Sequence, residues 1–121
     1  MSLIKGLTIS QARRGLAEKK FSAQELVESF ILEIESSKKL NCYISYNFEL
    51  AIEKAKESDH KIAQGNAGRL EGIPIGIKDL FCTKGIKTTA GSKILHNFVP
   101  PYESTVTQNL LDAGSIFLGK T

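Results

Sequence analysis

The sequence predicts an α/β fold in which a sheet is flanked by helices, opened by a helical hairpin, and incomplete as a domain. Three observations predict it. Two helix-start signals stand close together near the N-terminus, at Thr8-Ile9-Ser10-Gln11 and Ser22-Ala23-Gln24-Glu25. The last third ends in a helix, a capping glycine and a continuous apolar run, Ser115-Ile116-Phe117-Leu118-Gly119, which is the second half of a βαβ crossover and implies a parallel sheet. Only about three strand candidates are present, and two of them are apolar enough to want neighbours that these residues do not supply.

The opening segments have the form of capping boxes, in which a hydroxyl accepts from a first-turn amide and a Gln or Glu reaches back to the cap amide. The first helix is expected to run to about Lys20. Behind Ser22, residues Leu26, Val27, Phe30, Ile31 and Ile34 recur at spacings of three and four and share one face, with the helix ending near Leu40-Asn41. Residues 1–41 thus read as a helical hairpin, and residues 42–121 as the start of an α/β body. Cys42-Tyr43-Ile44-Ser45-Tyr46 is aromatic and β-branched, a short strand. Phe48 to Gln64 reads as a charged helix, with Gly65 where a left-handed cap belongs. Phe81 to Leu95 is loop-like and Pro100-Pro101 breaks the chain. A helix from about Ser104 to Ala113 should turn Val106, Leu110 and Leu111 inward, with Gly114 as its cap.

Composition bounds the class. The chain has 121 residues, 41% hydrophobic and 24% charged, which suits one domain or part of one and argues against disorder. The net charge of +3 is mild. Basic pairs such as Arg13-Arg14 and Lys19-Lys20 read as solvated helix faces, and there is no concentrated patch for nucleic acid. Cys42 and Cys82 form no CxxC pair, and His60 and His96 have no zinc-site spacing, so no metal site is expected. Two reduced thiols fit a cytoplasmic protein. Met1 to Leu7 lacks the apolar core of a signal peptide, and no run approaches the roughly 20 apolar residues of a membrane helix.

The chemistry-bearing stretch is Ile73-Pro74-Ile75-Gly76-Ile77-Lys78-Asp79. With period two, the isoleucines share a core face, while Pro74, Gly76 and Lys78 share the other. Pro74 cannot donate to a ladder and belongs at a strand start or edge. A lysine there commonly snorkels to solvent or pairs with a carboxylate such as Asp79. The small residues beside it leave room for other groups. At the C-terminus, Gly114 to Thr121 satisfies GxxxxGK[ST] letter for letter. A phosphate loop follows a strand and leads into a helix, whereas these residues follow a helix and are filled with Ile, Phe and Leu. The match is therefore read as a decoy.

Leu70-Glu71-Gly72-Ile73-Pro74-Ile75-Gly76-Ile77-Lys78-Asp79 resembles the N-terminal catalytic segment of the amidase signature family. The blocks Cys82 to Thr89, Gly91 to Leu95, Asn97 to Tyr102 and Ala113 to Thr121 continue the likeness in order, and Phe21 to Val27 extends it to the opening helices. Within the family, the blocks are most similar to the branch that serves as the glutaminase component of a tRNA-dependent amidotransferase. The resemblance implies a mixed sheet flanked by helices and a Ser-cisSer-Lys triad for amide hydrolysis, with Lys78 as the base. A serine hydroxyl is a weak nucleophile and needs an adjacent base, and a lysine is a base only when neutral. Both serines of the triad are expected beyond Thr121, since Ser92 and Ser104 lack the Gly/Ser-rich context. The resemblance also implies glutamine as substrate, partner subunits, and tRNA engaged through the complex. It implies no cofactor in this chain, with ATP and Mg used by one of the partner subunits. Rival readings are a small-amide amidase of the same family and a non-catalytic binding module. An apolar surface with an unpaired strand edge at Ile116–Leu118 leads to an expectation, for residues 1–121 alone, of self-association or else of partial disorder in the Phe81-to-Tyr102 loop and the C-terminal segment.

Overall fold

A computed structural model describes residues 5–121. The reading of Met1 to Leu7 falls partly on residues 1–4, outside the described residues. Among the described residues there are four α-helices: α1 (Ile9–Ala17), α2 (Ala23–Ser36), α3 (Phe48–Ala63) and α4 (Thr105–Asp112). Three strands join them: β1 (Ser45–Tyr46), β2 (Pro74–Ile77) and β3 (Ile116–Lys120). This is the mixed α/β fold that the sequence predicts.

Both opening capping boxes form. Thr8 Oγ1 accepts from Gln11 N at 3.2 Å and Gln11 Oε1 accepts from Thr8 N at 2.9 Å. Ser22 and Glu25 make the same reciprocal pair at 3.0 and 2.8 Å. Helix α1 stops at Ala17, short of the expected Lys20. Lys19 takes a left-handed conformation (φ 55°), and the amides of Lys20 and Lys19 turn back to the carbonyls of Gly15 and Leu16. Those two bonds satisfy two of the orphan acceptors of the last turn and end the helix. Helix α2 likewise ends at Ser36, and Lys38–Leu40 continue only as a 3-10 turn closed by left-handed Asn41.

The N-terminus of α2 draws on a distant residue. Asp59, on α3, accepts from the amides of Ala23 and Gln24 at 2.7 and 3.2 Å. With Ser22 serving Glu25, the first three amides of α2 have acceptors, and a carboxylate sits at the positive end of the helix. This bond locks α2 to α3. The expected apolar stripe of α2 is the buried one: Leu26, Val27 and Ile31 join Ala51 and Ala55 of α3 and Ile73, Ile116 and Leu118 in one core.

The sheet order is β1–β3–β2. β3 pairs with β2 in parallel and with β1 antiparallel, and α4 is the crossover between β2 and β3. The β2 register shifts between Ile75 and Gly76, so that Gly76 faces Gly119 and Ile77 faces Lys120 while Leu118 is left over. Ile73 and Ile77 are buried as expected, whereas Ile75 is only half-buried. Cys42–Tyr46 contributes just Ser45 and Tyr46 to a strand, because β1 meets only the end of β3.

Helix α4 departs from its expected facing. Val106 is 47% and Leu111 37% exposed, and the fully buried position is Thr107. Its hydroxyl donates to the Cys82 carbonyl at 3.2 Å, and Ser104 N donates to the same carbonyl at 2.8 Å. These polar bonds, rather than the apolar stripe, orient the helix on the long loop. Gly114 (φ 91°) ends α4 with its neighbour Ser115, whose amide returns to the Leu110 carbonyl at 3.1 Å.

Two substitutions test this account in chemical denaturation. Asp59→Ala strands two amides at the start of α2 and is expected to lower stability by about 1–2 kcal/mol; no change would mean that solvent replaces Asp59. A Cβ at Gly119 would press on the Ser45 carbonyl and lie 3.0 Å from Tyr43 Cδ1 and 3.2 Å from Tyr46 Cα, so two of its three nearest obstacles are backbone. Gly119→Val is expected to cost at least about 2 kcal/mol and to detach β1, with faster amide exchange at Ile44 and Asn47 as the readout.

Candidate active site

The site is built at the carboxyl edge of the two parallel strands, the edge at which open α/β sheets bind their ligands. Lys78 follows the last residue of β2, and Thr121 follows the last residue of β3. Thr121 N donates to the Ile77 carbonyl at 2.8 Å, and Asp79 N donates to the Thr121 carbonyl at 2.8 Å. Ile77 O and Asp79 N belong to the two peptide groups that flank Lys78. The lysine backbone is therefore clamped on both sides by one residue. Its own carbonyl accepts from Phe81 N at 3.1 Å, closing a turn.

The side chain of Lys78 is exposed. Among the described residues its ammonium has no carboxylate within ion-pair distance. Asp79, the partner that sequence reasoning offers, turns the other way. The face shared by Pro74, Gly76 and Lys78 is open, as the alternation predicts, with Gly76 also exposed. The space over Gly76 is partly taken: a Cβ there would lie 3.2 Å from the Tyr43 hydroxyl and 3.4 Å from Thr121 Cγ2. Burial pushes the Tyr43 phenol up from its usual pKa, with the nearby Cys42 adding to the shift.

Beneath this edge lies a buried ion pair that sequence reasoning missed. Lys120 is 2% exposed, and its Nζ donates to the Phe81 carbonyl and to Thr88 Oγ1, each at 3.0 Å. It stands 3.7 Å from Asp79 Oδ1. The other carboxylate oxygen of Asp79 accepts from Thr89 N at 3.2 Å and from the Thr89 hydroxyl. Burial pulls the Lys120 ammonium below the ordinary lysine pKa, and the charge of Asp79 opposes that shift. The available signal was Lys120 itself, a charge at the end of a run that is apolar on both faces.

Glu71 is a second buried carboxylate not singled out from sequence. It accepts from Ser58 Oγ at 2.6 Å and from Gly68 N at 3.0 Å, with Lys61 Nζ at 4.0 Å. It ties the approach to β2 onto α3. Gly114–Thr121, the phosphate-loop look-alike, is a helix cap followed by a buried central strand, with Lys120 already bonded inward. Cys42 and Cys82 are free thiols. Among the described residues no helix is long and apolar enough to cross a membrane, and no three His, Cys, Asp or Glu gather as a metal site.

Comparison with known proteins places this edge in context. The Amidase family model matches residues 25–121. A glutamyl-tRNA(Gln) amidotransferase subunit from Azorhizobium caulinodans is 51% identical over 120 residues, covering 99% of this chain and 24% of that relative. The corresponding glutamyl-tRNA(Gln) amidotransferase subunit from Rickettsia bellii is 47% identical over 121 residues, 100% of this chain and 24% of the relative. The chain thus spans about a quarter of the length of the curated relatives it matches. Among solved structures, peptide amidase from Stenotrophomonas maltophilia superposes with a TM-score of 0.87 at 27% identity, over 93% of this chain and 24% of that one. A bacterial aryl acylamidase of the amidase signature family gives a TM-score of 0.87 at 30% identity, over 95% of this chain and 25% of that one. With the family model matching most of its length and the fold agreeing, this chain belongs to the Amidase family.

Proposed function

We propose that this chain is the lysine-bearing N-terminal part of the glutaminase component of a tRNA-dependent amidotransferase, with Lys78 as the catalytic base. The observation that carries the proposal is Lys78 itself: an exposed amine with no carboxylate partner among the described residues, on a doubly clamped backbone, at the carboxyl edge of a parallel strand pair, within an amidase chain. Identity near 50% to relatives named for that amidotransferase favours it over a small-amide amidase, since the solved amidases stand nearer 30%.

In this reading a serine outside these 121 residues attacks the side-chain amide of glutamine. Lys78 accepts the proton of that serine through a second, bridging serine. The proton then passes to the departing nitrogen, and water releases glutamate from the acyl-enzyme. Ammonia goes to a partner subunit, which uses ATP and Mg to activate glutamate on tRNA. The clamp on Lys78 suits this role, because proton transfer demands heavy-atom distances of about 2.6–3.2 Å. The complex would act in the cytoplasm.

In the full-length protein, Lys78→Ala is expected to lower glutamine hydrolysis by at least about a thousandfold while the melting temperature stays near wild type. Activity within about tenfold of wild type would remove Lys78 from the mechanism. The 121-residue chain alone is expected to hydrolyse neither glutamine nor a simple amide. Turnover by it that vanishes on Lys78→Ala would place a nucleophile among these residues.

A further inference from the structure

We infer that the buried Lys120–Asp79 pair, together with Thr88 and Thr89, is a positioning device for Lys78, setting where its amine is presented to the reacting groups. The inference rests on the role proposed for Lys78 and deepens it.

A buried ion pair is weak evidence for stability. Well-packed apolar residues of similar volume commonly serve a fold as well or better. Position 120 closes a strand of Ile, Phe and Leu, where an aliphatic residue would suit the core. What the pair does instead is visible in where its hydrogen bonds go. At 3.7 Å, Lys120 Nζ and Asp79 Oδ1 are too far apart for a direct hydrogen bond, and Oδ1 has no other donor among the described residues. The ammonium directs its bonds to Phe81 O and Thr88, and the carboxylate accepts from Thr89. Each ion thus holds a different part of the loop that follows Lys78.

Asp79 is the residue next to Lys78, and its polar groups are held from several directions. Its amide is bonded to Thr121 O, and its carbonyl accepts from Ala90 N at 2.8 Å. Its carboxylate is held by Thr89 and faces Lys120. Lys120 in turn lies in register with Ile77, on the other side of Lys78. The turn at 78–81 is therefore fixed from β3 below and from residues 88–90 beside it. Only the side-chain torsions of Lys78 are left free. Misplacing a catalytic group by about 1 Å costs on the order of a hundredfold in rate, so a device that removes backbone freedom at this position acts on turnover rather than on substrate affinity.

The test uses the full-length protein in its complex, with steady-state glutamine hydrolysis and thermal melting measured for Lys78→Ala, Lys120→Met, Thr89→Val and Thr89→Ser. Thr89→Val removes one hydroxyl donor to Asp79 and leaves both charges in place. It is expected to lower kcat by about tenfold with KM within twofold of wild type, and Thr89→Ser, which returns the hydroxyl, is expected to restore kcat. Lys120→Met is expected to lower kcat further at unchanged KM. Should Lys120→Met fail to fold, the Thr89 pair decides. Folded Thr89→Val with kcat within twofold of wild type, or Thr89→Ser no better than Thr89→Val, overturns the inference. If Lys78→Ala itself keeps its activity, the proposed base is at fault. If Lys78→Ala is inactive while folded Thr89→Val and Lys120→Met turn over normally, only the positioning role falls.

Discussion

Everything in this chain hangs on the pairing of β3 with the strands on either side of it. β3 is the last element in sequence and the central one in space, antiparallel to β1 and parallel to β2. All five of its residues are buried. Its ladder bonds leave few unsatisfied backbone groups at the middle of the fold, where water cannot compensate for a missing bond. Tight approach follows from that pairing. Gly119 faces Gly76 on one side and Tyr46 on the other; a side chain at Gly119 would collide with the Ser45 carbonyl, and one at Gly76 would crowd the Tyr43 hydroxyl.

The helical layer is fastened to this sheet by carboxylates as much as by apolar contact. Leu26, Val27, Ile31, Ala51 and Ala55 supply non-directional burial, which drives association but leaves sliding permitted. Asp59 removes that freedom between α2 and α3 by binding two helix-start amides, and Glu71 does the same between α3 and the segment entering β2. Each carboxylate accepts from at least one donor on a different element, so each converts an apolar contact into a defined geometry. The segment that Glu71 holds leads straight into β2 and Lys78.

Charge at the site is distributed by the same directional bonding. Two lysines lie in register neighbourhood at the carboxyl edge, and the structure gives them opposite fates. Lys120 is drawn inside and held by Asp79, Thr88 and Phe81 O, whereas Lys78 is left at the surface without a carboxylate among the described residues. Asp79 is engaged by Lys120 and Thr89 and forms no ion pair with its chain neighbour Lys78. Several large apolar side chains, among them Ile94, Leu80 and Tyr102, are exposed in the long loop after Lys78.

The sequence by itself determined the features whose causes are local. Hydroxyl residues paired with a Gln or Glu three positions on start α1 and α2, Gly65 and Gly114 end helices in left-handed turns, and the Ile73–Ile77 alternation leaves Gly76 and Lys78 on an open face. The βαβ succession at 73–121 and the family likeness were legible for the same reason, since both are written in residues close together in the chain. What only the tertiary structure decided are the bonds between distant residues. Asp79 pairs with Lys120 rather than Lys78, Asp59 caps a helix 36 positions away, and Thr107, not Val106 or Leu111, faces inward. A polar side chain carries no mark of its partner until packing brings the two within hydrogen-bond range. Periodicity can place a residue on a face, but short-ranged, directional bonds across the fold choose what it meets there.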